Sequence, residues 1–307
     1  MYKVFPLQGL ILRDKIDIKL YNIRYTFFPR GMIGNIGLLK LDQQSQKDIL
    51  DLFHNCETFV IIPEYSQQTI EIAFVKIGLG IIYFANMLKN RHDFFSSYYA
   101  DLRIGTDEIN ENDFDLSIPV FYSPSSDTPS WQKSEFRRLP LKIENSIQNE
   151  VNSVTRFINK NYTTSDKLIS AFYFMYYILP QTDIALSIVL ISTILESLLL
   201  EKSDRNKKKS LSVRTACLVH DSGDKDEKIE LAKHVQYFYE LRSQIVHNGR
   251  FLKLMDFLVV DRAKESIYKI IEYIIKNDIQ SIQDIRSIVK TNYEADGLCN
   301  GFDYLVS

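Results

Sequence analysis

The sequence predicts an α+β protein: a strand-rich N-terminal domain over residues 1–142, then an all-helical domain over residues 143–307. Three observations predict it. Apolar residues alternate at period two in the first part, as in Ile16-Asp17-Ile18-Lys19-Leu20. From Ile143 onward they recur at three- and four-residue steps, as in Ile147, Val151, Val154 and Ile158. At 307 residues, 45% hydrophobic and 25% charged, the chain is a globular one long enough for two domains, or for one domain with a sizeable appendage.

Taken in order, Met1 to Gly9 lacks the basic region, apolar core and small-residue cleavage site of a secretory signal. Ile16–Leu20 reads as a half-buried strand and Phe59–Ile62 as a short buried one. Thr69-Ile70-Glu71-Ile72-Ala73-Phe74 alternates again after the turn-like Pro63-Glu64-Tyr65-Ser66 and reads as another strand. Leu79–Leu88 fits a buried helix or a strand. Gly105–Asp115 is acidic and Ser123–Ser130 carries two prolines and four serines, so both read as loops.

In the helical part, Leu168–Leu179 is rich in aromatics and stops at Pro180, after which Thr182-Asp183 can cap the next helix. Ile184–Leu200 is the most apolar run. It carries Ser187, Ser192, Thr193, Glu196 and Ser197 and is barely long enough to cross a bilayer, so it reads as a buried bundle helix with no membrane partner. Leu231, Val235, Phe238, Leu241 and Ile245 form one helical stripe. Ile267, Ile270, Ile271, Ile274 and Ile275 form another, closed by Asn277-Asp278. There is no internal repeat.

Several function classes drop out. A net charge of -2 gives no global attraction to nucleic acid or membrane, so such a partner needs a local patch. Cys56, Cys217 and Cys299 are far apart and form no C-x-x-C pair, which argues against disulfides or a cysteine zinc site and fits a reducing cytoplasm. The chain has no phosphate-binding glycine loop, no H-E-x-x-H and no G-x-S-x-G, so neither a cofactor nor a metal is expected. His54 and Cys56 are neighbours with nothing nearby to complete a metal site. Trp131 lies in a polar stretch, where it could stack on a ligand or pin a loop.

What remains is Tyr239-Glu240-Leu241-Arg242-Ser243-Gln244-Ile245-Val246-His247-Asn248-Gly249, with an arginine five residues before a histidine. The spacing is weak on its own, since Arg214 and His220 nearly repeat it. That second pair reads as structural, the arginine anchoring the basic connection and His220 starting a turn. A histidine in a last helical turn also complements the helix dipole, and an arginine beside an apolar stripe often pairs with a carboxylate. The surroundings add weight. Arg242 lies at the edge of the apolar stripe and His247 points well away from it, the two side chains being about 140° apart, while Tyr239, Ser243 and His247 share one face. One ideal helix cannot bring both side chains to one phosphate. Either the helix unwinds at Asn248-Gly249, or a second copy supplies the other half across a two-fold axis.

Glu196, in an apolar helix, needs a donor; Arg242, Arg214 and His247 are candidates, against a solvent-facing position beside Glu201. Lys202, Arg205, Lys207, Lys208, Lys209 and Arg214 place six cations in thirteen residues against Asp204 alone. Such a run is either a solvated connection or an RNA-backbone contact.

Leu241–Gly249 resembles the signature of HEPN domains, in particular their ApeA-like branch. Ala185–Leu199, with Glu196 at the branch's acidic position, resembles its first core helix, and Leu211–Leu218 its short second helix. The likeness covers about residues 183–275. Ser243 stands where many members have asparagine, aspartate or histidine, and Asn248 separates His247 from Gly249. The resemblance implies a metal-independent endoribonuclease, working as a homodimer with a composite active site and cutting RNA, with transfer RNA a candidate substrate. Arg242 would hold the scissile phosphate and His247 would move protons, while Glu196, Tyr239, Ser243 and Arg214 support them. Arg205, Lys207, Lys208 and Lys209 would contact the RNA backbone. It further implies an antiphage, abortive-infection toxin in the cytoplasm, whose N-terminal domain meets a phage-derived trigger or a regulatory partner. The alternative is a non-catalytic HEPN module that dimerises or binds as an antitoxin does.

Overall fold

The computed structural model describes residues 2–35, 47, 50–51, 56–63, 68–89, 103–104, 141–143, 145–178, 183–221, 224–248 and 254–295. The loops expected at Gly105–Asp115 and Ser123–Ser130, with His54, Trp131, Thr182, Gly249 and Cys299, lie outside them. An N-terminal sheet is followed by helices, so the broad α+β expectation holds. The chain divides into two compact units, residues 1–155 with 179–181, and residues 156–178 with 182–307. The boundary expected near residue 142 precedes a helix, α2 (Gln148–Ile158), in which the chain passes from one unit to the other.

In the first unit, β1 (Tyr2–Gln8), β3 (Ile16–Leu20), β4 (Ile23–Pro29), β5 (Thr58–Pro63) and β6 (Arg103–Ile104) form an antiparallel sheet in the order β3-β4-β5-β1-β6. Beside it, β2 (Leu10–Leu12) pairs in parallel with β7 (Leu141–Ile143). β3 buries Ile16, Ile18 and Leu20 and turns Asp17 and Lys19 outward, as its alternation requires. β5 is buried from Thr58 to Ile62, because both faces of the sheet are covered there. On one face Phe28, Ile33, Cys56, Phe59 and Ile61 form a cluster, and burial pushes the Cys56 thiol up to about 11.

The other face carries a correction. Thr69–Phe74 is not a strand but the start of α1 (Gln68–Lys89), which also settles Leu79–Leu88 as helix. Tyr25 and Phe27 of β4 meet this helix at Gly78, where an added Cβ would come within 2.7–2.8 Å of both rings. Glycine is what lets helix and sheet approach so closely. α1 is mostly buried and apolar on most sides, so Thr69–Phe74 show no amphipathic period and their alternation misleads. Thr69–Lys89 is long and apolar enough to cross a membrane.

The second unit contains α3 (Thr163–Ile178), α4 (Ile184–Leu199), α5 (Lys207–Val219), α6 (Lys225–Asn248), α7 (Leu254–Lys276) and α8 (Ile282–Ala295). Asp183 caps α4, accepting from the backbone N–H groups of Ala185 and Leu186 at 2.8 and 3.2 Å. Asn206 caps α5 through Lys209 N–H. Ser281 and Asp284 form a reciprocal capping box at α8. Lys167 of α3 donates to the carbonyls of Ser197 and Leu200, satisfying the C-terminal end of α4. The stripe Leu231, Val235, Phe238 and Leu241 is buried, as are Ile267, Ile270, Ile271 and Ile274. Asp278 takes a φ of 53° after α7, where a helix end favours a left-handed residue.

Candidate active site

The site is built where α6 crosses α4. Arg242 of α6 brings its guanidinium to 4.0 Å from the carboxylate of Glu196, on the otherwise apolar α4. This is an ion pair without a hydrogen bond: Glu196 Oε1 and Arg242 Nε are both buried atoms with no hydrogen-bond partner. Tyr239, one turn before Arg242, is half-buried. Burial raises its phenol above the ordinary value, the negative charge of Glu196 adds to the rise, and Arg242 opposes it. Arg242, Glu196 and Tyr239 are therefore one electrostatic group.

His247 is exposed, and α6 continues through Asn248. The helix does not unwind before the histidine, so Arg242 and His247 project about 140° apart. Ser243 is half-buried between them on the wheel. Val246, one position before His247, is 48% exposed although it lies on the side of the apolar stripe. The core cover of α6 thus gives out in its last turn.

The basic run divides. Arg214 is only 7% exposed and makes a bidentate pair with Asp204 at 2.8 Å through each nitrogen, and it also donates to Leu199 O. Asp204 accepts as well from Arg286 of α8 at 3.0 Å and from the Glu201 backbone N–H at 2.8 Å. The Arg214 guanidinium, foremost among these donors, holds the Asp204 carboxyl well below its usual range. Arg214 is thus a strut for the connection between α4 and α5, not a supporting group beside Arg242. This engagement corrects its expected place among the groups supporting Arg242. It also removes Arg214 as the donor to Glu196. His220 ends α5 and lies 3.3 Å from Glu227, apart from Arg214's partners.

Lys208 pairs with Glu240 at 2.8 Å. Glu240 and His247 lie seven residues apart, within about 20° of each other on the helix. Lys208 therefore meets the strip of α6 that carries His247, two turns before the histidine. Lys202, Arg205 and Lys207 are exposed.

Sequence reasoning missed Asp204, Arg286 and Lys167. A lone carboxylate among six cations was the available sign for Asp204. Nothing local pointed to Arg286, which is 82 residues away along the chain.

No protein-family model, no curated protein and no solved structure matches this chain.

Proposed function

We propose that the helical unit is a metal-independent endoribonuclease of HEPN type, and that two copies complete its active site. The observation that carries this reading is the state of Arg242. Its guanidinium is oriented by Glu196 across 4.0 Å without being consumed by hydrogen bonds, while His247 stands exposed at the end of the same helix. Since one α6 splays the two groups, a two-fold axis near its last turn would bring the Arg242 and His247 of both chains to one cleft.

The chemistry follows from the groups. A guanidinium offers planar paired donors to a phosphate and neutralises the charge gained as phosphorus becomes five-coordinate. One imidazole takes the proton of the ribose 2′-hydroxyl as its oxygen attacks phosphorus. The bond from phosphorus to the 5′-oxygen breaks, and the second imidazole returns a proton to that oxygen. The products are a 2′,3′-cyclic phosphate and a 5′-hydroxyl. Histidine suits both steps because its ordinary pKa lies close to neutrality. Lys208, against the His247 strip, and the exposed Lys202, Arg205 and Lys207 of the same segment supply charge for the RNA backbone. The resemblance to ApeA-like HEPN domains extends this to a toxic effector in antiphage abortive infection, with transfer RNA as a candidate substrate and the sheet-bearing unit as its restraint.

A second reading is a non-catalytic HEPN module. The Glu196–Arg242 pair favours it to the extent that a purely structural arginine would also seek a carboxylate. Expression of wild type, Arg242→Ala and His247→Ala separates the two. The nuclease reading requires growth arrest from wild type alone and RNA cleavage by the purified protein in EDTA. Intact RNA and equal growth in all three would leave the binding module.

A further inference from the structure

The edge of the sheet in the first unit carries an independent feature. Among the described residues β3 is the outermost strand on its side, paired only with β4. Antiparallel strands turn the N–H and C=O of alternate residues toward and away from their partner. Asp17 turns both of its groups away from β4, and both are bonded by one side chain. The Asp17 N–H donates to Gln148 Oε1 at 2.9 Å, and Gln148 Nε2 donates to the Asp17 carbonyl at 2.8 Å. The carboxamide of Gln148 reproduces the two hydrogen bonds that a neighbouring strand would make. Gln148 is the first residue of α2, and Asn152 one turn later accepts from the same Nε2 at 2.8 Å, fixing the amide's orientation. Glu150 meets Lys89 at the end of α1 at 3.5 Å and holds the same turn in place.

We propose that Gln148 is a latch that seals the β3 edge, and that its withdrawal opens β3 to antiparallel pairing with β3 of a second copy of this chain. The charge pattern selects that occupant. An antiparallel pair centred on Ile18 sets Asp17 of each copy opposite Lys19 of the other. Both residues belong to the set whose backbone groups turn outward, and their side chains share the polar face. Within one copy Lys19 lies across from Arg24, and the Asp17 carboxylate accepts from Thr26 at 2.6 Å and pairs with Lys15 and Arg24 at 3.4 and 3.5 Å on the same polar face. Ile16 and Ile18 stay in their own core in this register, so no apolar side chain has to leave it.

The test is sedimentation of Gln148→Ala at tens of micromolar. The expected result is a doubling of mass relative to wild type's own state, reversed when Lys19→Asp is added, because Asp17 would then face an aspartate. Wild-type mass in a folded Gln148→Ala overturns the proposal, as does association that ignores Lys19→Asp. If the alanine variant does not fold, Gln148→Met, of nearly the same size without the amide, takes its place under the same criteria. Hydrogen exchange on the wild-type chain is a third arm that requires no variant. The Asp17 amide is protected although no described strand lies beside it, and exchange at the rate of an exposed amide would sink the latch.

Discussion

Two arginines of the helical unit illustrate opposite uses of the same side chain. Arg214 is nine-tenths buried and held by Asp204 and Leu199 O, so it is structural. Removing one partner of a buried pair leaves the other charge uncompensated, and Arg214→Ala should cost about 3–5 kcal/mol in urea unfolding. Arg242 is only half-buried and loosely paired, and His247 is exposed. His247→Ala should leave the melting temperature unchanged while lowering RNA cleavage by about 10²–10⁴-fold. Acid sensitivity has two separable parts. Burial, then Lys269 and Lys228, hold His220 below its ordinary value of 6.5 against the pull of Glu227 and Glu265. The unfolded chain therefore takes up that proton first, so this contribution is complete above about pH 6.5 and is lost as pH falls from there. Asp204 is depressed instead from 3.8, so its contribution is complete above about pH 5 and is lost only in stronger acid. Urea midpoints measured from pH 8 to pH 3 should fall in two stages, with His220→Gln removing the first and Asp204→Asn flattening the second.

At the scale of elements, burial decides what can be read from the chain. β3 and the α6 stripe each show one face to a core and one outward, so their periods are legible. α1 is covered on most sides, and only its length separates it from a strand: the apolar run from Thr69 reaches Lys89, far beyond the four to eight residues of a strand. Its packing gives a test. Gly78→Val would push a side chain into Phe27 and Tyr25 and should destabilise by at least about 1–3 kcal/mol, seen as a lower melting temperature. A stability equal to wild type would contradict the contact between α1 and β4. For the site, Arg242 and Glu196 were legible because a carboxylate in an apolar helix demands a donor. Which of three donors it takes was not, since that depends on Asp204 and the Leu199 carbonyl claiming Arg214 first.

At the scale of the whole molecule, the geometry of α6 sets the expectation for assembly. Arg242 and His247 point about 140° apart on an unbroken helix, so a monomer cannot close both on one phosphate. Val246 is exposed in the same last turn, where a second copy would cover it. Sedimentation equilibrium should show a dimer under cleaving conditions, and Val246→Glu should weaken it and lower activity together. An active strict monomer would rule out the shared site. The central claim, that Arg242 and His247 cut RNA through its own 2′-hydroxyl, is tested most directly by the chemistry of the product ends. Purified protein is incubated with total RNA in EDTA, and the new termini are mapped. The account predicts 2′,3′-cyclic phosphates facing 5′-hydroxyls, absent with Arg242→Ala or His247→Ala. Uncut RNA, or ends that persist in both variants, would contradict it.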